Sequence, residues 1–227
     1  MNNIFKVQVP TEIVRNPEIT CEEFALLSLL LRAYYQNKKR INPFKVNYRV
    51  LKDRLNISKN ETFKEHLNGL HKNGLLNDEI NILPRRGILE VRLADKAITE
   101  QNKKVPFVQV TENIINQAVI QEIKSKGVRL FYYYKSYLDL RKTEPFAYPG
   151  FERIMSETGL SDNTVRKHNK IMQKNKFIKV INSSKQISSN YYGADNELVT
   201  EGFQNKYYLY EEKIDKYAHK KNGNLIG

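Results

Sequence analysis

Apolar and polar residues alternate from Ile4 to Val9, the period of a half-buried strand or an extended arm, and Pro10-Thr11 ends it. From Thr20 the period changes, and Phe24, Leu27, Leu30, Leu31 and Tyr34 draw a helical stripe. Thr20 and Glu23 have the spacing of a capping box, each side chain satisfying the other's backbone N–H. Asn42-Pro43 closes the next loop, and Phe44 to Asn47 is a short strand candidate. Tyr48 to Leu55 then predicts a helix with Val50, Leu51 and Leu55 facing inward, and Asn56-Ile57-Ser58 a turn. Lys59 to Asn73 predicts a second helix, with Phe63, Leu67 and Leu70 toward the core. Gly74 falls at the position after the helix where positive φ is comfortable. Leu75 to Leu83 and Ile88 to Leu93 read as two strands around the basic tip Pro84-Arg85-Arg86-Gly87.

This order returns at a constant spacing of 102 residues. Thr62-Phe63-Lys64 matches Thr164-Val165-Arg166, His66 meets His168, Leu70 meets Met172, and Leu75-Leu76 meets Phe177-Ile178. Upstream, Phe5 to Glu12 echoes Phe107 to Glu112. A repeat of this length means two copies of one domain. The expected division is an N-terminal domain 1–96, a linker 97–106 rich in polar residues, a C-terminal domain 107–212 and a flexible basic tail 213–227. In the second copy an extra helix runs from Thr111 to Ser125 and Gly127 breaks it. Val128 to Arg141 is the central helix, with Leu130, Phe131, Tyr134, Tyr137 and Leu138 inside. Ile154 to Ile178 gives helix, Gly159-Leu160-Ser161 turn, helix and strand, with Ser161 or Asp162 as N-cap. The return strand is Lys206 to Tyr210, after a long Ser- and Asn-rich connection, 182–204, read as an enlarged wing or a patch for another protomer.

Charge narrows the function. The 227 residues carry 38 Lys and Arg against 25 Asp and Glu, a net +13 that suits a polyanion. One cysteine, Cys21, excludes an internal disulfide framework and reads as a core residue. No apolar run is long enough to span a membrane, and the N-terminus has no secretory segment, so a cytoplasmic protein with no membrane partner is expected. No phosphate-binding G-x-x-x-x-G-K-[ST] loop is present, and His66 and His71 are five apart, which is not zinc-site spacing. His66 and His168 are assigned a structural or phosphate-facing role. Tyr132-Tyr133-Tyr134 is read as a helix crossing from core to surface, and Glu22-Glu23 and Glu211-Glu212 as solvated faces. No catalytic constellation emerges: the expectation is no enzyme, no cofactor and no metal.

Helix-turn-helix plus hairpin is the winged-helix plan, whose second helix enters the DNA major groove. The expected fold is mainly α with small β-wings, two tandem winged-helix domains. In the first copy Lys59, Asn60, Lys64 and Asn68 are placed to reach DNA. In the second the candidates are Asn163, Thr164, Arg166, Lys167, Lys170 and Lys174. Arg85, Arg86, Lys185 and Lys206 are wing candidates. Asn and Arg read bases, whereas lysines more often set register on phosphates. Glu61 and Glu65 burden the first recognition helix, so the second domain is expected to bind more tightly.

The segments Ser58 to Lys64 (SKNETFK) and Ser161 to Lys167 (SDNTVRK), each followed by an apolar strand, resemble recognition helices of bacterial winged-helix proteins. The tandem arrangement resembles the two-winged-helix replication initiators of plasmids and phages. That resemblance implies double-stranded DNA as partner, directly repeated origin sites, a homodimer that represses its own gene, and replication or transcription proteins as further partners. The alternatives are an operator-binding repressor and an architectural or partition protein that coats DNA.

Overall fold

The computed structural model describes residues 4–37, 39–99, 105–138, 141, 143–181 and 205–223. The chain is mixed α/β, mostly helical, with small antiparallel sheets. After β1 (Lys6–Pro10) and the one-turn α1 (Thr11–Val14), the apolar stripe forms α2 (Cys21–Gln36). Its N-terminus carries the expected capping box: Thr20 Oγ1 accepts from the Glu23 N–H, and the Glu23 carboxylate accepts from the Thr20 N–H. Glu23 is therefore a buried structural group, not part of a solvated face. β2 (Phe44–Asn47), α3 (Tyr48–Leu55) and α4 (Asn60–Lys72) follow. β3 (Ile88–Val91) pairs antiparallel with β2, Val46 opposite Leu89.

The predicted strand Leu75 to Leu83 is mostly absent. Leu76 makes one bridge to Leu93, and 79–84 run as an irregular loop to the turn at Arg85-Arg86. Side chains of α4 hold this loop instead: Asn68 Oδ1 accepts from the Ile80 N–H, and Lys64 Nζ reaches the Asn81 carbonyl. Val50 also departs from expectation, being exposed on α3 while Tyr48, Leu51 and Leu55 are buried.

The second copy repeats the order. β4 (Phe107–Thr111) leads through a 3-10 turn at Glu112–Ile115 into α5 (Gln117–Lys135), then α6 (Phe151–Thr158) and α7 (Asp162–Lys174). β5 (Ile178–Ile181) pairs antiparallel with β6 (Lys206–Leu209), and Ala147 bridges to Tyr207 as β2 pairs with β3. α5 is interrupted at Lys124, whose φ of 61° and ψ of 171° are non-helical, and not at Gly127 as predicted. Gly127 is needed for closeness: a Cβ there would lie 2.7 Å from that of Ile123. The Lys124 conformation is open to glycine and costs a side-chain-bearing residue about 1–3 kcal/mol.

Two strands join the copies. β1 and β4 pair antiparallel with Gln8 opposite Gln109, Val7 opposite Val110 and Val9 opposite Val108, so the match VQV to VQV is symmetric about its centre. Behind this ribbon α2 packs on α5, with Phe24 edge-on to Tyr132 at 5.3 Å. All three of Tyr132, Tyr133 and Tyr134 are fully buried, which corrects the reading of a helix leaving the core. Each hydroxyl finds an acceptor: the Val7 carbonyl, the Glu157 carboxylate and the Asn169 amide oxygen in turn. Residues 97–99, assigned to the linker, are anchored too. Ala97, Ile98 and Thr99 are buried, and the Thr99 hydroxyl donates to Gln8.

The tail was expected to fray, yet α8 (Glu211–Gly223) buries Ile214 and Ala218. Glu211 opens this helix by accepting from the Thr111 N–H and pairing with Lys135 at 2.7 Å, so it too serves packing.

Arg129 crosses the junction and is wholly buried. Its Nη2 donates to the Asn16 carbonyl at 2.7 Å and its Nη1 to the Ile19 carbonyl at 3.2 Å, with the guanidinium over the Phe24 ring. Burial brings its pKa down to about 10, and its Nε has no partner. Removing the side chain would leave the Ile19 carbonyl without its donor, strip the Asn16 carbonyl of the shorter of its two bonds, and leave a cavity. Arg129→Ala is expected to lose about 3–5 kcal/mol of unfolding free energy in urea titrations. A loss below about 1 kcal/mol would show that the junction does not rest on it.

The ends of α4 and α7 match closely. Asn73 and Asn175 each return a side-chain amide to the carbonyl four residues back, and Gly74 and Lys176 take φ of 65° and 60°. The lysine bears a strain the glycine escapes. Lys176→Gly should raise stability by about 1 kcal/mol, read as a higher urea midpoint at unchanged slope. A lower midpoint would refute it.

Candidate nucleic-acid interface

Each copy presents two helices joined by a tight left-handed turn. In the first, Asn56 ends α3 at φ 56°, and in the second Gly159 ends α6 at φ 69°. A short polar side chain and a glycine are the residues that tolerate this backbone. A hydrophobic stripe then fixes which face of the second helix remains outside. Phe63, Leu67 and Leu70 bury one side of α4, while Val165, His168, Asn169 and Met172 bury the matching side of α7.

The predicted residues separate into several environments. Lys59, Asn163, Lys167, Lys170 and Lys174 are exposed on the two helices or at their starts. Asn60 is exposed, but its side-chain oxygen accepts from Lys52 Nζ. Thr164 exchanges a hydroxyl hydrogen bond of 2.9 Å with Ser161, the N-cap of α7. Arg166 Nε donates to Asp162 Oδ2 at 2.8 Å, and its guanidinium lies over the Phe151 ring, so the fork is aimed before any ligand arrives.

Lys64 and Asn68 are half-buried and engaged within the chain. Asn68 Oδ1 accepts from the Ile80 N–H at 2.9 Å, and Lys64 Nζ reaches the Asn81 carbonyl at 3.5 Å. Both side chains hold the loop that replaces the predicted strand. Arg85 and Arg86 are exposed at that loop's tip, where the Arg85 carbonyl accepts from the Arg49 guanidinium. Lys206 is exposed on β6 with its ammonium over the Phe146 ring, and Lys185 lies outside the described residues.

Both helices line one cleft of about 670 Å³. Lys59 and His66 enter it from the first copy, Lys167 and His168 from the second, and Lys124 and Lys126 from α5 between them. Glu22 contributes the one carboxylate of the lining. Sequence reasoning missed Lys124 and Lys126, since nothing in the residue pattern marks a lysine as a helix break. The two histidines, equivalent in the repeat, differ here. His66 is partly exposed, whereas His168 is buried and its Nδ1 lies 3.0 Å from the Ile123 carbonyl beside the break. Among the described residues no three His, Cys, Asp or Glu side chains gather to hold a metal ion. The Cys21 thiol is pushed up to about 11 by burial, the state of an unreactive core residue. No helix among the described residues is long and apolar enough to cross a membrane.

No protein-family model matches the chain, and no curated protein matches it in sequence.

Burial holds the His168 pKa below 6.5, with Lys126 and Lys167 acting the same way and the Ile123 carbonyl and Glu22 opposing them. The unfolded chain therefore takes up this proton first as pH falls. The His168 contribution is complete above about pH 6.5 and declines below it, toward the lower pKa of the folded state. Stability measured from pH 8 to about pH 5 should show this decline, and His168→Gln should flatten it. An identical acid limb in the variant would assign the effect to other groups.

Proposed function

We propose that this chain is a sequence-specific double-stranded DNA-binding protein built of two winged-helix domains, of the replication initiator and regulator kind. The observation that carries the reading is the pair of second helices, α4 and the basic α7, opening on one cleft lined by Lys59, Lys124, Lys126 and Lys167. Each half runs helix, extended segment, helix, turn, helix and return strand, the order of the plan in which the second helix enters the major groove. A net charge of +13 supports a phosphate partner. On α7, Arg166 held by Asp162 offers a planar fork to guanine, and Asn163 an amide to adenine, while Lys170 and Lys174 suit phosphates. With Lys64 and Asn68 engaged in bracing their loop, the second copy supplies most of the base reading.

The symmetric pairing of β1 with β4 favours a second reading, a repressor at a promoter. Helices related by a local twofold suit an inverted operator, so one chain would do the work of a helix-turn-helix dimer. Both readings share the DNA-binding surface and differ in the arrangement of sites.

Selection of bound fragments from the native replicon, followed by footprinting at two salt concentrations, separates them. Direct repeats beside an origin support the initiator, and one inverted repeat over a promoter supports the repressor. Salt-steep binding without a preferred site leaves a DNA-coating protein. The double reversal Arg166→Glu/Lys167→Glu is expected to weaken binding more than about tenfold, each lost pair removing about 1–3 kcal/mol. Lys64→Glu should do less. No binding by the unaltered chain at moderate salt would end the proposal.

A further inference from the structure

Four ammonium groups in the cleft between α4 and α7 have no ion-pair or hydrogen-bond partner among the described residues: Lys59, Lys124, Lys126 and Lys167. They face a single carboxylate, Glu22, inside a concave wall where like charges reinforce one another's field. Lys135, Lys52 and Lys206 differ in being engaged, with Glu211, with Asn60 and over the Phe146 ring.

The break in α5 explains how this concentration of charge arises. In an uninterrupted helix, residues two apart point to different sides and do not share a surface. Lys124 and Lys126 nevertheless line the same cleft, because Lys124 leaves the helical conformation at φ 61° and ψ 171°. A glycine would occupy that backbone without strain, yet the chain carries a lysine there. A strained residue whose side chain lines a cleft points to a use for that side chain. The break is also tied to α7, since His168 bonds the carbonyl of Ile123 next to it.

We propose that this cleft is a phosphate seat, in which Lys124 and Lys126, flanked by Lys59 and Lys167, hold the sugar-phosphate backbone of the duplex between the segments met by α4 and α7. The proposal rests on the DNA-binding reading above and adds two residues that read no bases. Its ligand chemistry, a phosphate anion, has two sources: the phosphodiester of DNA or a free phosphate. The duplex is the source assigned here, because the cleft is open and both of its flanking walls are the helices that present the base-reading candidates.

The test is the salt dependence of DNA affinity for the full chain. Each phosphate contact contributes about 0.9 to the slope of log K against log salt, so Lys124→Gln/Lys126→Gln should lower its magnitude by about 1.8. The loss should be equal on specific and random duplexes, because no base is read. Lys216→Gln, an exposed control on α8, should leave the slope unchanged. Lys124→Gly guards against misfolding: it should melt no lower than the unaltered chain and still lose about 0.9 of the slope. Unaltered DNA binding by the double variant, or an equal fall in the control, overturns the proposal while leaving the DNA-binding reading in place. So does saturable binding of inorganic phosphate, seen as a rise in melting temperature that the double variant lacks, if the DNA slope is unchanged. Failure of the unaltered chain to bind any duplex overturns the earlier reading itself.

Discussion

The structure depends on a junction of two copies that cannot be taken apart without exposing their cores. β1 of the first copy has its hydrogen-bonding partner in β4 of the second, and α2 buries its apolar side on α5. Either copy alone would expose an unpaired strand edge and the faces of Phe24, Leu27 and Tyr132. Arg129 adds a directional constraint to this apolar contact. Carried by α5, it reaches two carbonyls of the loop between α1 and α2, and both of these bonds require this angle of packing. Arg15 returns the gesture from the other side, donating to Ser136 at the end of α5 and lying over Tyr137. Fixing α2 against α5 fixes α4 and α7 in turn, because each packs on one of those two helices.

Much of this was legible in the sequence because local rules agreed with the global fold. The capping box at Thr20 and Glu23, the stripe on α4, the positive φ of Gly74 and the 102-residue repeat follow from spacing and residue type. Other features were illegible for reasons that can be named. Periodicity assumes one buried face, and α5 has several: it is covered by α2, α7, α6, β4 and α8 at once, which buries three consecutive tyrosines. Each tyrosine is tolerated because its hydroxyl meets an acceptor from a different element, a fact no sequence window contains. The stretch after Leu76 has strand composition, but its backbone is held by Asn68 and Lys64 of α4. α8 was within reach of sequence reasoning, since Ile214, Tyr217 and Ala218 are three and four apart behind two glutamates, but the charge of the tail outweighed that pattern.

The surroundings of the candidate residues were less legible than the fold, and for one physical reason. Sequence spacing says which side of a helix a residue occupies, not what else lies there. Lys64 and Asn68 are on the outer side of α4 as expected, but the loop 79–84 lies over them and takes their hydrogen-bonding groups. Arg166 is on the equivalent side of α7, where Asp162 and Phe151 orient it without covering it. The copies therefore diverged by a change in what packs on the second helix, with the helix itself retained.

The same divergence acts on the equivalent histidines and gives the cleft its asymmetry. His66 stays at the surface of α4, free to meet a ligand. His168 has turned inward to the carbonyl of Ile123, and in doing so it joins α7 to the point where α5 is broken. A break in a helix frees backbone groups that must find partners, and a neutral imidazole Nδ1–H is a donor that brings no buried charge. The depressed pKa of His168 goes with that choice: burial disfavours the charged ring first, and the neighbouring Lys126 and Lys167 add to it. One side chain thus keeps the break compatible with a packed core while the lysines around it stay available to an anion. The cationic cleft and the buried junction are in this way parts of one arrangement, since α5 runs through both.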